Sequence, residues 1–467
     1  MAPQEATQRR VIRSTTGTCP VCHRRVPAVV AAVDGHVDLE KTCPEHGVSA
    51  QRLSNNPWYW EGLDDYFFSV IREPYRQRDF LVRMTEQCNL DCPICLAKAN
   101  TEGTPDLDLT GLEELLSQRR GIKIDLMSAE PTVRADLEDW IRKVKRAGNI
   151  AALHTNGLKL ADPDYVARLK RAGVDEVFLQ FDGFDDNAHI ALRGRPLLDI
   201  RLKALENLRA HQIATSLIVV IARGLNEEQV GKVYRFALRP ENDHIREVFY
   251  LGLRLLGSAR DALRLGDDTV QDQQLMPDEL LDLLCEQESE IRREDVYEFN
   301  RVYFALLSAF RVRKCLYIQH YMVTREPDGT ARPISDYFDM ARLGEIAADY
   351  ARRMDQHPNL ARALLMAELG REGLRKEPLK LAASLFRLER LLQVGMNLKL
   401  VPRRFLLLGF ITACDPYNFD AQVAAHCGKG ELSVDGGFTE SGGVANVERE
   451  ARFDASDRRP GALHSGQ

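Results

Sequence analysis

No apolar run in this 467-residue chain reaches the roughly 18 to 20 residues that a helix needs to cross a bilayer. Residues 1–10 lack the apolar core of a signal peptide. Both absences lead us to expect a cytoplasmic protein. Charge of one sign is also lacking: 63 Lys and Arg stand against 69 Asp and Glu, a net −6. There is no general basic footprint, so nucleic acid is not an expected partner. Ten cysteines in a chain of this length, in a reducing compartment, read as metal ligands rather than disulfides.

What is present is ordinary globular composition, 44% apolar and 28% charged, in a chain too long for one ordinary domain. Its most informative stretch is Cys88-Asn-Leu-Asp-Cys92-Pro-Ile-Cys95. Three soft thiolates in eight residues suit zinc, copper(I) or an iron-sulfur centre. Iron-sulfur clusters normally take four cysteines, so a trio argues for an open position at which a small molecule is the last ligand. The bland reading is three unrelated core or zinc-site cysteines.

This spacing resembles the signature of radical S-adenosylmethionine (SAM) enzymes. The resemblance implies a 4Fe-4S cluster on Cys88, Cys92 and Cys95, with S-adenosyl-L-methionine chelated at the free iron. One electron then releases a 5'-deoxyadenosyl radical.

Strand-like runs start at Phe80–Met84 and continue at Ile122–Met127, Ile150–His154, Glu176–Phe181, Thr215–Ile221 and Glu247–Leu251. Helix-like segments alternate with them, at Asp136–Ala147, Pro163–Ala172, Leu198–His211 and Glu227–Leu238. This βα rhythm is that of a parallel sheet. The expected fold is α/β, a partial (β/α)6 radical SAM barrel over 79–260, with a small N-terminal metal-knuckle module (1–56), a packing linker (57–78) and a mainly helical C-terminal region (261–427). Residues 428–467, rich in Gly, Ser, Asp and Arg, read as a disordered tail.

Barrel enzymes build sites at the strand ends. There Ser128-Ala129-Glu130-Pro131 stands where radical SAM enzymes usually have Gly-Gly-Glu-Pro. Glycine permits close approach and positive φ, so its loss is expected to reshape the pocket for the SAM amino group. The resemblance implies SAM contacts at Ile94, Glu130, Asn156, Asp182 and Arg193, with Glu130 on the amino group, Asn156 and Asp182 on ribose hydroxyls and Arg193 on the carboxylate. From Met127 to Leu238 the chain also resembles a narrower group containing tetraether lipid synthase and a related pterin methylase. The phrases that carry this are GluProThrValArgAlaAspLeu, HisThrAsnGlyLeu, GlnPheAspGly and LeuArgGlyArgProLeuLeuAspIle.

At the N-terminus, Cys19-Pro-Val-Cys22 and Cys43-Pro-Glu-His46 bracket an alternating apolar stretch. Two ligand pairs around a hairpin make a closed zinc-ribbon or rubredoxin-like knuckle for zinc or mononuclear iron. Toward the C-terminus, Cys285, Cys315, Cys414 and Cys427 are arithmetically enough for an auxiliary 4Fe-4S cluster. Pro378–Phe410 is basic and apolar at helical spacing; it packs on the protein's own core or makes peripheral membrane contact.

The expected function is hydrogen abstraction from an unactivated carbon followed by carbon-carbon bond formation. The first reading is coupling of lipid alkyl chains, and the alternative is C-methylation of a small heterocycle. An electron donor such as flavodoxin or ferredoxin is implied. A reading of another class is an iron-sulfur redox sensor or binding protein.

Overall fold

The computed structural model describes residues 9–71, 77–100, 109–259, 274–313, 315–353, 363–365, 367–368, 371, 397–412, 414–433 and 437–457. Four antiparallel strands form a meander at the N-terminus: β1 (Arg9–Thr18), β2 (Arg25–Val33), β3 (His36–Cys43) and β4 (Gly47–Ser54). Alternation of Val37 and Leu39 with His36, Asp38 and Glu40, together with buried Val30, buries one face. The expected linker holds a helix, Pro57–Val70, capped by the Asn56 side chain on the Tyr59 amide. Tyr59 and Trp60 are buried in it.

The expected six strands follow in parallel register: β5 (Asp79–Arg83), β6 (Lys123–Met127), β7 (Ile150–Thr155), β8 (Glu176–Gln180), β9 (Ala214–Ile221) and β10 (Ile245–Gly252). Helices between them are bounded by local chemistry. Pro163–Ala172 starts with Asp162 accepting the Asp164 amide at 2.9 Å and stops at Gly173, whose φ of +101° only glycine adopts freely.

The C-terminal region lengthens this sheet as well as covering it. It supplies β11 (Ile318–Arg325), β12 (Ala331–Pro333), β13 (Phe405–Ile411), β14 (Lys429–Leu432) and β15 (Phe438–Thr439). Among the described residues the sheet has eleven strands, in the order β12-β11-β13-β10-β9-β8-β7-β6-β5-β14-β15. β14 adds to β5, and β13 to β10, both parallel.

Two expectations are corrected here. The tail expected to be disordered contains β14, β15 and a helix, Gly442–Asp457. That helix is tied to the N-terminal module by His23 Nε2 and Asp454 Oδ2 at 2.7 Å. The basic amphipathic stretch ends in a strand: Phe405–Ile411 is β13, paired with β10 and β11. Its earlier part, 378–396, lies outside the described residues. Among the described residues no helix is long and apolar enough to cross a membrane.

Candidate active site

Beyond β5 the chain turns through Cys88, Cys92 and Cys95. The turn is closed by the Cys95 amide on the Cys92 carbonyl at 3.1 Å and the Cys88 amide on Asn100 Oδ1 at 2.8 Å. Two further amides aim at sulfur, Leu90 at Cys88 Sγ and Ala99 at Cys95 Sγ, each 3.3 Å away. From the C-terminal side of β10, the Ser258 amide donates to the Cys95 carbonyl at 2.9 Å. Gly257 comes so close that a Cβ there would meet that carbonyl.

Burial pushes the Cys88 thiol up to about 12, with the Leu90 amide opposing, and also raises Cys92, against the Arg193 charge. Such thiols ionise when a metal centre supplies positive charge. Soft donors, amides directed at sulfur and half-buried thiols together fit an iron-sulfur cluster. Ile94, between the second and third thiols, is buried against Leu192, Val220 and Leu253 and lines the cavity below.

Ser128 retains the backbone form that its glycine counterpart would provide. Its φ is +118°, costly for a residue with a Cβ. Its neighbours hold it there: the Ala129 amide donates to Thr85 O and the Glu130 amide to Gln87 O, both at 3.1 Å. A positive-φ turn is therefore present here without glycine.

Glu130 is buried, and its carboxylate is already engaged. Oε1 accepts from the Thr132 amide (3.1 Å) and from the Thr132 and Thr155 hydroxyls (2.6 and 2.8 Å). Oε2 accepts from the Asn156 amide at 2.7 Å. Burial nonetheless raises its carboxyl above the ordinary value. Glu130 welds the ends of β6 and β7, leaving only part of Oε2 for a ligand. Asn156 donates to Asn89 Oδ1 at 2.8 Å and faces Cys88 Sγ at 3.8 Å.

Asp182 and Arg193, expected to touch different parts of SAM, bind each other. Arg193 donates Nε to Oδ2 and Nη2 to Oδ1, each at 2.8 Å; Arg201 adds a third contact at 3.0 Å. Burial alone would push the Asp182 carboxyl up, but the two guanidinium groups hold it well below the usual carboxylate range. Arg193 lines the cavity and also bears on Cys92, whereas Asp182 sits behind it.

These side chains face a cavity of about 420 Å³. Its lining also includes residues not expected from the sequence as a site, Asp79 and Lys429, which open β5 and β14, and Phe178, together with His154. Lys429 Nζ reaches Asp125 Oδ2 at 2.6 Å and Asp79 Oδ2 at 3.1 Å, and His154 Nε2 lies 3.1 Å from Asp125 Oδ1. Behind them Lys123 pairs with Glu176 at 2.5 Å. The available signal was Lys123-Ile-Asp125, two charged residues on one face of an otherwise apolar barrel strand.

Cys315, Cys414 and Cys427 line the same cavity. Burial, then the charges of Cys315 and Cys427, drives the Cys414 thiol well up. Cys285 is not among the lining residues; it lies on the helix Pro277–Gln287, packed against the core. Of the four cysteines counted for an auxiliary cluster, Cys315, Cys414 and Cys427 thus line this cavity and Cys285 does not.

In the N-terminal module, turns β1–β2 and β3–β4 bring Cys19, Cys22, Cys43 and His46 together, their ligand atoms all within 4.8 Å of one another. Cys22 and Cys43 sulfurs are 3.9 Å apart, and Cys43 Sγ is 3.5 Å from His46 Nδ1. Metal–sulfur bonds of about 2.3 Å in a tetrahedron need edges of about this length. His23 and His36 are engaged elsewhere, with Asp454 and Asp38.

A parallel α/β sheet with a three-cysteine loop after its first barrel strand defines a radical SAM domain. Residues 82–237 match the Radical SAM superfamily, which supports a radical SAM domain over that span. Residues 11–55 match the HMPTM N-terminal zinc ribbon domain. A 4Fe-4S cluster, SAM and a zinc module accompany these assignments. The chain is similar to the 7,8-dihydro-6-hydroxymethylpterin dimethyltransferase of Methanocaldococcus jannaschii, 31% identical over 317 residues, covering 61% of each chain. It is also similar to the GTP 3',8-cyclase of Rhodopirellula baltica, 28% identical over 190 residues, covering 38% of this chain and 52% of that one. It thus spans about three fifths and about half of these relatives. Among solved structures, Streptococcus suis SuiB bound to S-adenosylmethionine is 17% identical, with 44% of this chain and 45% of that one covered and a TM-score of 0.36, a likeness too slight to bear on the site.

Proposed function

We propose that this chain is a radical SAM enzyme that C-methylates a small nitrogen heterocycle of the dihydropterin class. The cavity carries this reading. About 420 Å³ falls in the range of small-molecule sites. Asp79, Lys429 and His154 in its lining would lose water to alkyl chains and gain no hydrogen bond in return. The likeness to a pterin dimethyltransferase supports the same choice, so we do not carry forward the coupling of lipid chains.

In this reading Cys88, Cys92 and Cys95 hold the 4Fe-4S cluster, and its open iron takes SAM. Reduced by a donor such as flavodoxin or ferredoxin, that cluster with SAM would supply radical chemistry for hydrogen abstraction. The chain's own residues prepare the place. Arg193, fixed by Asp182, sets a positive charge against Cys92. Glu130 ties the two strand ends that border the cluster, Asn156 holds Asn89 in the cysteine loop, and Ile94 keeps the third thiol's approach apolar. Cys19, Cys22, Cys43 and His46 bind zinc in a structural role.

Anaerobically reconstituted protein, given dithionite, 7,8-dihydro-6-hydroxymethylpterin and SAM as both radical source and methyl donor, should accumulate 5'-deoxyadenosine and a pterin heavier by CH2 units. Radical cleavage with an unchanged pterin removes the substrate assignment. No 5'-deoxyadenosine at all returns the chain to the redox-sensor reading.

A further inference from the structure

His154 gives one ring nitrogen to the chain and the other to the cavity. Its Nε2 lies 3.1 Å from Asp125 Oδ1, and Phe178, in register with it on β8, stacks on its ring at 4.3 Å and 5°. Burial would raise the Asp125 carboxyl, but Lys123 and then Lys429 hold it well below the ordinary value. That carboxylate accepts, so Nε2 carries the hydrogen. Burial also lowers the His154 pKa, against Asp125, which leaves a neutral ring with a lone pair on Nδ1. Among the described residues Nδ1 has no hydrogen-bond partner, yet it is not sealed in: the His154 side chain is 26% exposed and lines the cavity.

The place of His154 along β7 decides which end of a guest it meets. Asn156, two residues further on, faces Cys88 Sγ at 3.8 Å, and both side chains line the cavity. At about 3.3 Å per residue, His154 sits roughly 7 Å further from the cysteine loop along the strand. In a 6-hydroxymethyl dihydropterin the carbons that bear hydrogen belong to the pyrazine ring and its substituent, and the pyrimidine carbons bear none. Hydrogen abstraction therefore turns the pyrazine side toward the cluster. The pyrimidine side, with its amino group, is left to face His154.

We propose that His154 Nδ1 accepts a hydrogen bond from the amino group on the pyrimidine ring of the substrate, its direction fixed by the Asp125 bond and the Phe178 stack; this rests on the heterocycle reading above. His154 is then a specificity determinant. A ring without that amino group leaves the lone pair unmet.

The test is equilibrium binding to the anaerobically reconstituted full chain, with two probes: 7,8-dihydro-6-hydroxymethylpterin and its 2-deamino analogue, in which hydrogen replaces the amino group. An acceptor taken out of water and left without its donor costs about fivefold to a hundredfold in affinity. The parent should prefer the amino ring by that factor. His154→Phe keeps an aromatic ring against Phe178 but has no acceptor, and it should bind the two rings alike at parental 4Fe-4S content. His154→Leu is the second variant, for use if the first does not fold, and should also bind them alike. The readout is the preference between ligands, which isolates the one contact and which a purely structural role for His154 would not move. A parent that binds both rings equally overturns the contact and leaves C-methylation standing, as does a folded variant that keeps the parental preference. A parent that binds neither ring overturns both readings.

Discussion

Arg193 and Asp182 form a two-pronged buried ion pair, Nε to Oδ2 and Nη2 to Oδ1, each at 2.8 Å, with Arg201 as a third partner at 3.0 Å. Asp182→Asn therefore leaves two buried guanidinium groups without their anion. We expect a loss of about 3 to 5 kcal/mol in chemical denaturation of the cofactor-free protein. Arg193→Met should cost less, because Asp182 keeps Arg201. Parental stability in Asp182→Asn, with weakened SAM binding alone, would return Asp182 to a direct ribose contact.

Glu130 has four acceptor contacts within the chain. Glu130→Gln turns one acceptor oxygen into an NH2 group that faces donors. The expected cost is about 1 to 3 kcal/mol, read as a lowered melting temperature before any SAM is added. A variant as stable as the parent, weakened only in SAM affinity, would show that the carboxylate acts on SAM directly.

The zinc module grips the loop that carries Cys414. Lys41 donates to the carbonyls of Pro416 (3.1 Å) and Tyr417, and Thr15 to Asp420 Oδ1 at 2.6 Å. Because a closed metal site couples binding to folding, Cys43→Ala should release the metal and speed amide exchange over 414–420. Hydrogen exchange confined to 9–54 would contradict that coupling.

Asp79 gives a pH dependence. Burial, and then the Asp125 charge, raise its carboxyl to about 7, against Lys429 and Lys123; His154 faces the same network through Asp125. The folded state thus holds a proton that the unfolded chain releases near 3.8, and the stability this proton represents is lost as pH rises through about 7. From pH 6 to pH 8 the parent should lose about 1 kcal/mol relative to Asp79→Asn. Parallel stability curves for the two proteins would contradict it.

The barrel was legible because its elements are written locally. Pro163–Ala172 is found at the bounds its proline, Asp162 and Gly173 suggest, and β8 ends at Gln180, one residue short of the expected Phe181. The sheet's flanks were not. Leu406, Leu407 and Leu408 make an apolar run whose period cannot separate strand from helix, and pairing with β10 and β11 decides it. Lys429–Leu432 has no strand signature of its own and is set by its register with β5. Spacing identified the three cysteines of the loop, but partners distant in sequence, Glu130 with Thr155 or Arg193 with Asp182, needed the fold. Cys285 was grouped with Cys315, Cys414 and Cys427 by residue type alone, and only the fold separates it.

The most direct test of the central claim is product analysis of the three cysteine variants beside the parent, with SAM, dithionite and 7,8-dihydro-6-hydroxymethylpterin under anaerobic conditions. The parent should form 5'-deoxyadenosine together with a C-methylated pterin, and Cys88→Ala, Cys92→Ala and Cys95→Ala should each form neither. Parental amounts of 5'-deoxyadenosine from any one of the three would contradict the account.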